Sequence, residues 1–534
     1  MRQTEGDHRD QGHRFDGNRN VEDTTNPLLK EMKKPKELEV ILSESVGKFG
    51  LFQAWLLFLL FFCQATFAPA IYGSVFTDYT PKHHCVRDGL ETFNLTRWKD
   101  EEQRCQLIME GNQTECSRWT FDKSVFLDTV SADFEIVCDK AFLKTLSGTL
   151  RMSGLLIGSF VFGWMVDAVG RVPALTLAGI ILFTSQIIAG FSTNYLMFSA
   201  LNVLMAAGGV GSYLVSFVLL FEWSCPEYRT KASVFAQIPF AVGYLYTVFI
   251  AWCISSWQTL QWFLAAPNGL FFILFFIIPE SPRWLVSQGK PDKALKSIKT
   301  AAKSNKLELP KQVTIMEKAV TDEKAENLGI CVLVAHPILR YRLIIMSFNW
   351  IVITLCFYGL SLNSANEDLF TGMSLMAFVE LLAYIISLFI MDSFGRRPVL
   401  SVCQLLAGLS CVCAGFVPIR YYWIRLALAL IGKMGASAAF AVVFVYTAEL
   451  FPTPVRNSAI GLCSTLARIG ALLAPSIASL DSVLAFLPFM IMGGAAMLVG
   501  SLSFLLPETR GGKLPETVEE AAALGGKKEE DEEQ

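Results

Sequence analysis

Long apolar blocks recur along most of this 534-residue chain, and this pattern limits the fold more than any other feature. An α-helix needs about 20 consecutive apolar residues to cross the hydrocarbon core of a bilayer. Charged residues make up only 17% of the chain, against roughly a quarter in average soluble proteins. We therefore expect an all-α membrane protein with twelve transmembrane helices. The predicted spans are 49–76, 146–166, 172–191, 195–221, 232–253, 260–278, 341–362, 373–391, 399–417, 422–448, 458–478 and 483–506.

The distribution of Lys and Arg predicts the orientation of the spans. Short cytosolic loops of membrane proteins carry an excess of these residues. They cluster before the first span and after the sixth, whereas the short loops 192–194, 362–372 and 479–482 contain none. Both termini are therefore expected in the cytosol of a multi-pass protein of the plasma membrane, and the long loop after the first span is expected outside.

The long first loop has two features of an extracellular domain. Asn94 and Asn112 each begin an Asn-x-Thr glycosylation sequon. The loop also contains four cysteines, which in an oxidising compartment predict two disulfides with three possible pairings. These four residues are Cys85, Cys105, Cys116 and Cys138.

Three charged motifs occur in both halves of the chain, in the same order. The Asp-x-x-Gly-Arg motif at Asp167 recurs at Asp392, which is 225 residues later. A Glu followed seven residues later by Arg recurs after 227 residues, and the Pro-Glu pair at 279 recurs at 507. Duplication explains this order, and it predicts two six-helix bundles related by a pseudo-twofold axis. Transporters built on this plan bind their substrate near the bilayer midplane, between the bundles.

The repeated charges are also candidates for gating. Ion pairs of modest strength can hold the cytosolic helix ends together in one state and separate in the other. The alternative is that they are ordinary helix-end charges that follow the positive-inside rule. The candidate gating residues are Asp167, Arg171, Glu222, Arg229, Asp392, Arg396, Glu449 and Arg456.

The chain resembles the major facilitator superfamily, and more closely its organic cation, anion and carnitine transporter family. The resemblance extends from 49 to 517 and includes the cysteine-containing first loop. The strings that carry it are Phe-Glu-Ile-Val-Cys-Asp at 134–139, Pro-Glu-Ser-Pro-Arg-Trp-Leu at 279–285, Tyr-Gly-Leu-Ser-Leu-Asn at 358–363 and Tyr-Thr-Ala-Glu-Leu-Phe-Pro-Thr at 446–453. It implies the major facilitator fold, alternating access and organic-ion substrates. Asn202 is a departure, since the family usually has Arg there.

Three ionisable side chains lie within the predicted spans: Glu380, Lys433 and Arg468. Such a group costs roughly 2.5–3.5 kcal/mol at the bilayer centre, so it faces a cavity or a partner. Glu380 lies twelve residues before Asp392, and Arg468 twelve after Arg456, so both reach about 18 Å into the membrane. We expect them to face one cavity, where Glu380 attracts an ammonium and Arg468 a carboxylate. Alternatively, they pair with each other. Lys433 is expected to pair with Glu380 or a carbonyl.

The resemblance refines this expected site. In the family, an acidic residue at 380 is usual in cation and carnitine carriers, and a basic residue at 468 is usual in anion and carnitine carriers. The combination is similar to that of a zwitterion carrier, and aromatic faces suit an amine. The expected substrate-binding residues are Glu380, Arg468, Tyr384, Tyr358, Gln237, Tyr213, Phe217 and Lys433.

The expected function is transport of small organic cations or zwitterions, similar to carnitine or betaine, by alternating access. An organic anion carrier or exchanger is the alternative, and a non-transporting receptor or scaffold is the second. A coupling ion, Na+ or H+, stays open as a partner. The chain has no Gly-rich phosphate loop and no metal-ligand spacing, so neither an enzyme nor a cofactor nor a metal is expected. Its net charge of −3 does not indicate nucleic acid binding.

The expected organisation has five parts. They are a cytosolic segment (1–48), a first bundle (49–278, with the extracellular loop domain at 77–145), a cytosolic loop with short helices (279–340), a second bundle (341–506) and a cytosolic tail (507–534).

Overall fold

A computed structural model of the protein describes residues 50–86, 105–109, 112–224, 232, 234–307, 330–363, 368–511, 515 and 517–524. The predicted glycosylation residue Asn94 and the predicted gating residue Arg229 lie outside these ranges. The helices of the first half are α1 (Leu51–Ala65), α2 (Phe67–Thr77), α3 (Val130–Asp133), α4 (Phe142–Val169), α5 (Arg171–Ala189), α6 (Tyr195–Trp223), α7 (Ile238–Cys253), α8 (Trp257–Ala265) and α9 (Phe271–Ile277).

The helices of the connection and of the second half follow in the same chain order. The connection contains α10 (Pro282–Ser287), α11 (Pro291–Ser304) and α12 (Ile330–Ala335). The second half contains α13 (Pro337–Asn363), α14 (Leu369–Phe394), α15 (Arg396–Phe416), α16 (Tyr422–Leu450), α17 (Thr453–Ala478), α18 (Leu487–Ser503) and α19 (Val518–Ala523). Short 3-10 helices span Cys138–Lys140, Ala266–Leu270, Ile419–Tyr421 and Ser479–Ser482.

Within the described residues, ten helical segments are long and apolar enough to cross a membrane. Two shorter apolar helices, α7 and α18, take the fifth and twelfth places in the predicted order. The first span, Leu51–Thr77, consists of α1 and α2, and Thr66 lies at the break with its hydroxyl donated to the Cys63 carbonyl (2.9 Å). The predicted all-α membrane fold is thus confirmed.

Small residues allow the helices of each half to approach closely. α6 packs against α4 and α5, and a side chain on Gly154 of α4 would meet the Val203 carbonyl oxygen at 2.3 Å. In the second half, α16 packs against α15, where a side chain on Gly435 would meet the Cys403 carbonyl oxygen at 2.6 Å. The two halves meet where α4 packs against α17 and α7 packs against α14.

The segment between α2 and α4 contains two antiparallel strand pairs. β1 (His83–Cys85) pairs with β4 (Trp119–Phe121), and β2 (Gln106–Met109) pairs with β3 (Asn112–Glu115). Two disulfides are present, as predicted, and they join Cys85 to Cys116 and Cys105 to Cys138. We name this end of the bundle the disulfide end, and the opposite end, where α5 and α15 begin, the charged end.

We expect substitution of alanine for two glycines of α17 to affect the stability of the protein differently. At Gly470 the added Cβ would lie 2.1 Å from the Ile351 carbonyl oxygen, whereas at Gly461 nothing lies within 4 Å. Gly470→Ala should therefore lower stability by about 1–3 kcal/mol, as overpacking does. Gly461→Ala should leave it unchanged or raise it by about 0.5–1 kcal/mol, because alanine favours helix. Thermal unfolding of the purified protein checks this, and equal melting temperatures for the two variants would contradict the packing of α13 on α17.

Candidate functional site

A cavity lies between the two halves, at the middle of the spans. α2, α6 and α7 line it from the first half, and α13, α14, α16 and α17 line it from the second. Most of its wall is aromatic. Six of the eight residues predicted to bind substrate lie on this wall, although their role in binding stays a prediction: Tyr213, Phe217, Gln237, Tyr358, Tyr384 and Arg468.

Arg468 brings a positive charge to this cavity. It projects from the middle of α17, one turn after Ser464, which also lines the cavity. Its Nε is buried and has no hydrogen-bond partner among the described residues. The Thr354 hydroxyl of α13 lines the same cavity and is likewise buried without a partner there. Buried polar groups are normally paired, so these two groups indicate a site for a ligand that supplies acceptors.

The first half contributes neutral polar groups to the wall. Tyr213 of α6 donates its hydroxyl to Gln237 Oε1 at 2.6 Å, which fixes the side chain that precedes α7. The ring of Phe67 packs on Tyr213 with centroids 5.4 Å apart. This side of the cavity therefore offers an ordered, uncharged surface.

The aromatic wall continues across both halves. Trp350 of α13 packs edge-on against Phe444 of α16, with ring centroids 4.4 Å apart. Phe217 of α6 reaches the same Phe444 at 6.2 Å, near the charged end of the cavity. These rings provide apolar surface and faces that can bind a cation.

Glu380 differs from the expectation that it shares a cavity with Arg468. Its Oε2 lies 2.8 Å from Lys433 Nζ, and both side chains are 0% exposed. Lys433 also donates to the Phe357 carbonyl at 3.0 Å, so it meets both partners proposed for it. Tyr384 donates to Glu380 Oε1 at 3.4 Å and separates it from the cavity. A buried carboxylate needs a close cation, and here α16 supplies one nearer than Arg468.

The charged end of the first half contains a compact ion cluster around Arg171. Its guanidinium lies 2.7 Å from Glu222 and 3.3 Å from Asp167. Glu280 accepts hydrogen bonds from the backbone N–H groups of Arg171 (3.0 Å) and Val172 (3.1 Å), and so caps α5. A carboxylate at a helix N-terminus is favoured by the helix dipole and by these free donors.

The second half repeats this cluster around Arg396. Its guanidinium lies 3.1 Å from Glu449 and 3.6 Å from Asp392. Glu508 accepts from the backbone N–H groups of Arg396 (2.9 Å) and Arg397 (3.1 Å), and so caps α15. The repeated motifs thus form equivalent ion clusters in the two halves. Each of these contacts joins elements of a single half.

Glu280 and Glu508 were not among the predicted gating residues. Their sequence signal was present, because the Pro-Glu pair recurs at 279 and 507. Gly170 (φ +114°) and Gly395 (φ +93°) precede the two capped helices, and a side chain at either would clash with the capping carboxylate, at 2.7 and 2.8 Å. Burial raises the pKa of the Glu280 carboxyl, and the hydrogen bonds from the backbone oppose this shift.

Arg456 does not form the expected hydrogen-bonded pair with Glu449. Its side chain donates to the carbonyl oxygens of Phe451 (3.3 Å) and Pro515 (3.5 Å). α16 ends at Leu450 and α17 starts after Pro452, so a spacing of seven residues does not keep the two side chains on one face. Glu449 instead binds Arg396.

The two halves touch closely at the disulfide end of the cavity. Thr149 of α4 and Ser476 of α17 are hydrogen-bonded at 3.3 Å. Phe76 of α2 stacks on Phe370 of α14, with centroids 5.8 Å apart. These contacts close the cavity on that side.

Known transporters resemble this chain over most of its length. The model of the sugar (and other) transporter family matches residues 139–521. The chain is 33% identical to an organic cation transporter protein of Drosophila melanogaster, over 78% of each chain. It is also 32% identical to human solute carrier family 22 member 13 (90% of this chain, 92% of the relative) and 31% identical to the human organic cation/carnitine transporter 2 (90% and 94%).

The chain belongs to the organic cation, anion and carnitine transporter family of the major facilitator superfamily. Solved structures of this superfamily share the fold. The proton:xylose symporter XylE superposes with a TM-score of 0.58 at 17% identity, over 89% of this chain and all of that one. An inward-open form of XylE gives 0.57 at 16% identity, over 88% of this chain and 98% of that one. This family consists of transporters rather than enzymes.

We expect loss of one charge of the Glu380–Lys433 pair to be more harmful than loss of both. Glu380→Gln leaves a buried ammonium without its anion, which costs about 3–5 kcal/mol. Adding Lys433→Met to that variant should restore most of the stability. Thermal unfolding checks this, with Asp392→Asn as a partly exposed control that should change little. A double variant no more stable than Glu380→Gln would contradict the pairing.

Proposed function

We propose that this member of the family transports small organic ions that carry a carboxylate, and that Arg468 binds the carboxylate. The observation that carries the proposal is a guanidinium with a buried, unpartnered Nε on the wall of an aromatic cavity. Arg binds a carboxylate through two parallel charge-assisted hydrogen bonds. The unpartnered Thr354 hydroxyl supports the same assignment, since it can donate to a second oxygen.

The charges around the cavity favour an anion or a zwitterion over a simple cation. None of the described residues that line the cavity is a carboxylate. Glu380 is neutralised by Lys433 behind Tyr384. A cation without a carboxylate would therefore meet the repulsion of Arg468 with no anion to offset it.

The aromatic wall supports an apolar or amine-bearing substrate body. Trp350, Phe444 and Phe217 offer ring faces that bind either a hydrocarbon or a quaternary amine. Among the relatives are an organic cation transporter protein and an organic cation/carnitine transporter. We therefore include zwitterions among the proposed substrates, and a simple organic cation is the second candidate. A scaffold without flux is the third.

We further propose that transport proceeds by alternating access at the plasma membrane, with the disulfide end outside and both termini in the cytosol. The sequons, the disulfides and the positive-inside rule support this orientation. The contacts that close the disulfide end must then separate in the outward-facing state, while the Arg171 and Arg396 clusters hold each half rigid. A coupling ion, Na+ or H+, stays a prediction that uptake in ion-substituted buffers checks.

Substitution of Arg468 tests the proposed substrate class. In cells that express the protein, we expect Arg468→Gln to raise the KM for carnitine or an aromatic carboxylate about 10- to 100-fold, since a hydrogen bond to a charged group contributes about 1.5–3 kcal/mol. Arg468→Lys should retain part of the affinity, because it keeps the charge but loses the two-pronged geometry. Arg468→Asp should favour a tetraalkylammonium.

The control for this series is Arg420→Gln, which removes an exposed charge at the disulfide end. Radiotracer uptake of the three substrates, corrected for surface expression, gives the measurement. Uptake of tetraalkylammonium alone by the unchanged protein would favour the second candidate. Uptake of none of them, with the protein at the surface, would favour the scaffold.

A disulfide across the halves tests alternating access. An ideal Cβ on Gly148 would lie 3.2 Å from the Cβ of Pro475, close to the separation in natural disulfides, about 3.5–4.5 Å. Oxidation of the Gly148→Cys/Pro475→Cys variant should lock the disulfide end closed and stop uptake, and reduction should restore it. Each single cysteine variant is a control for reagents acting on the native cysteines. Full uptake by a cross-linked protein would rule out this gate.

A further inference from the structure

The connection between the halves carries a basic helix that the transport cavity does not use. α11 buries one face against the first half through Ala294, Ile298 and Ala301, each 0% exposed. The side chains on the opposite face are exposed lysines, followed by Lys306 just beyond the helix. The lysines of this face are Lys293, Lys296, Lys299 and Lys303.

These lysines form one stripe on the exposed face of α11, and the acidic residue of the helix, Asp292, lies in its first turn. Lys296, Lys299 and Lys303 lie within about 60° of one another in helical projection at 3.6 residues per turn. No carboxylate of the described part of the chain lies within ion-pair distance of their ammonium groups. The apolar face of α11 holds the helix against the first half, so the lysines point in a fixed direction. They repel one another unless an external anion approaches.

The end of α11 is tied to the point where the first span begins. The Phe52 backbone N–H donates to Asn305 Oδ1 at 2.7 Å, and Asn305 Nδ2 donates to Gln53 Oε1 at 2.8 Å. Leu51, the first residue of that span, is 67% exposed and so faces the surroundings of the bundle. The last turn of α11 therefore lies at the depth where a chain passes from water into lipid.

We propose that Lys299, Lys303 and Lys306 bind the anionic headgroups of phospholipids next to α1. The ammonium groups match headgroup phosphates and carboxylates in charge, and Leu51 contacts the acyl chains of the same lipids. Basic side chains near a membrane surface each strengthen binding to anionic lipid about fivefold. This lipid site is separate from the transport cavity and does not depend on the substrate proposed above.

Titration of dioctanoyl phosphatidylserine into the full-length protein in phosphatidylcholine nanodiscs tests the site, with binding followed by thermophoresis. The Lys299→Gln/Lys303→Gln/Lys306→Gln variant should bind about 100-fold more weakly, as expected for three lysines. The matching triple Lys→Arg variant should bind as the unchanged protein does. Lys123→Gln removes an exposed charge at the disulfide end and should have no effect. Size-exclusion profiles establish that each variant is folded.

Three outcomes would overturn the proposal. One is equal affinity of the unchanged protein and the triple Gln variant. Another is equal competition by glycerophosphoserine, the headgroup without acyl chains, which would indicate a site for free anions. The third is lipid binding by a variant that ends at Leu524 but none by the full chain, because the acidic run Glu529–Glu533 of the tail would then be the occupant.

Discussion

An ionisable side chain within a membrane span must reach a counter-charge or water, and this constraint organises the centre of the protein. Glu380 and Lys433 satisfy it together, 2.8 Å apart and fully buried, so they contribute no net charge to the cavity. Arg468 has no such partner among the described residues and lines the cavity instead. The charge on the described wall of the cavity is therefore positive, and it comes from the second half.

The same requirement at helix ends explains the duplicated motifs. α5 and α15 each begin with backbone donors that a carboxylate from a later segment of the same half caps. The positive φ of Gly170 and Gly395 brings those carboxylates close, and the following Arg ties the capped helix to its neighbour. The repeat thus stabilises each half as a unit, and alternating access needs units that move without deforming.

Spacing along the chain predicted depth well and direction poorly. The span order, two disulfides and the depth of Arg468 followed from hydrophobic length and counting. Counting residues does not show which face of a helix packs against which neighbour. Glu380 pairs with Lys433 and not with Arg468 because α14 packs against α16. The pair expected between Glu449 and Arg456 failed for a related reason, since a helix break lies between them.

The cavity is divided unequally between the halves, and this division bears on how it releases a substrate. The first half offers neutral groups, with Tyr213 bonded to Gln237. The second half holds Arg468. In the proposed mechanism, a carboxylate bound to Arg468 would keep its strongest contact when the halves separate, and only neutral contacts would be exchanged. Because weak contacts break in both directions at small cost, such a site suits a carrier that reorients while loaded.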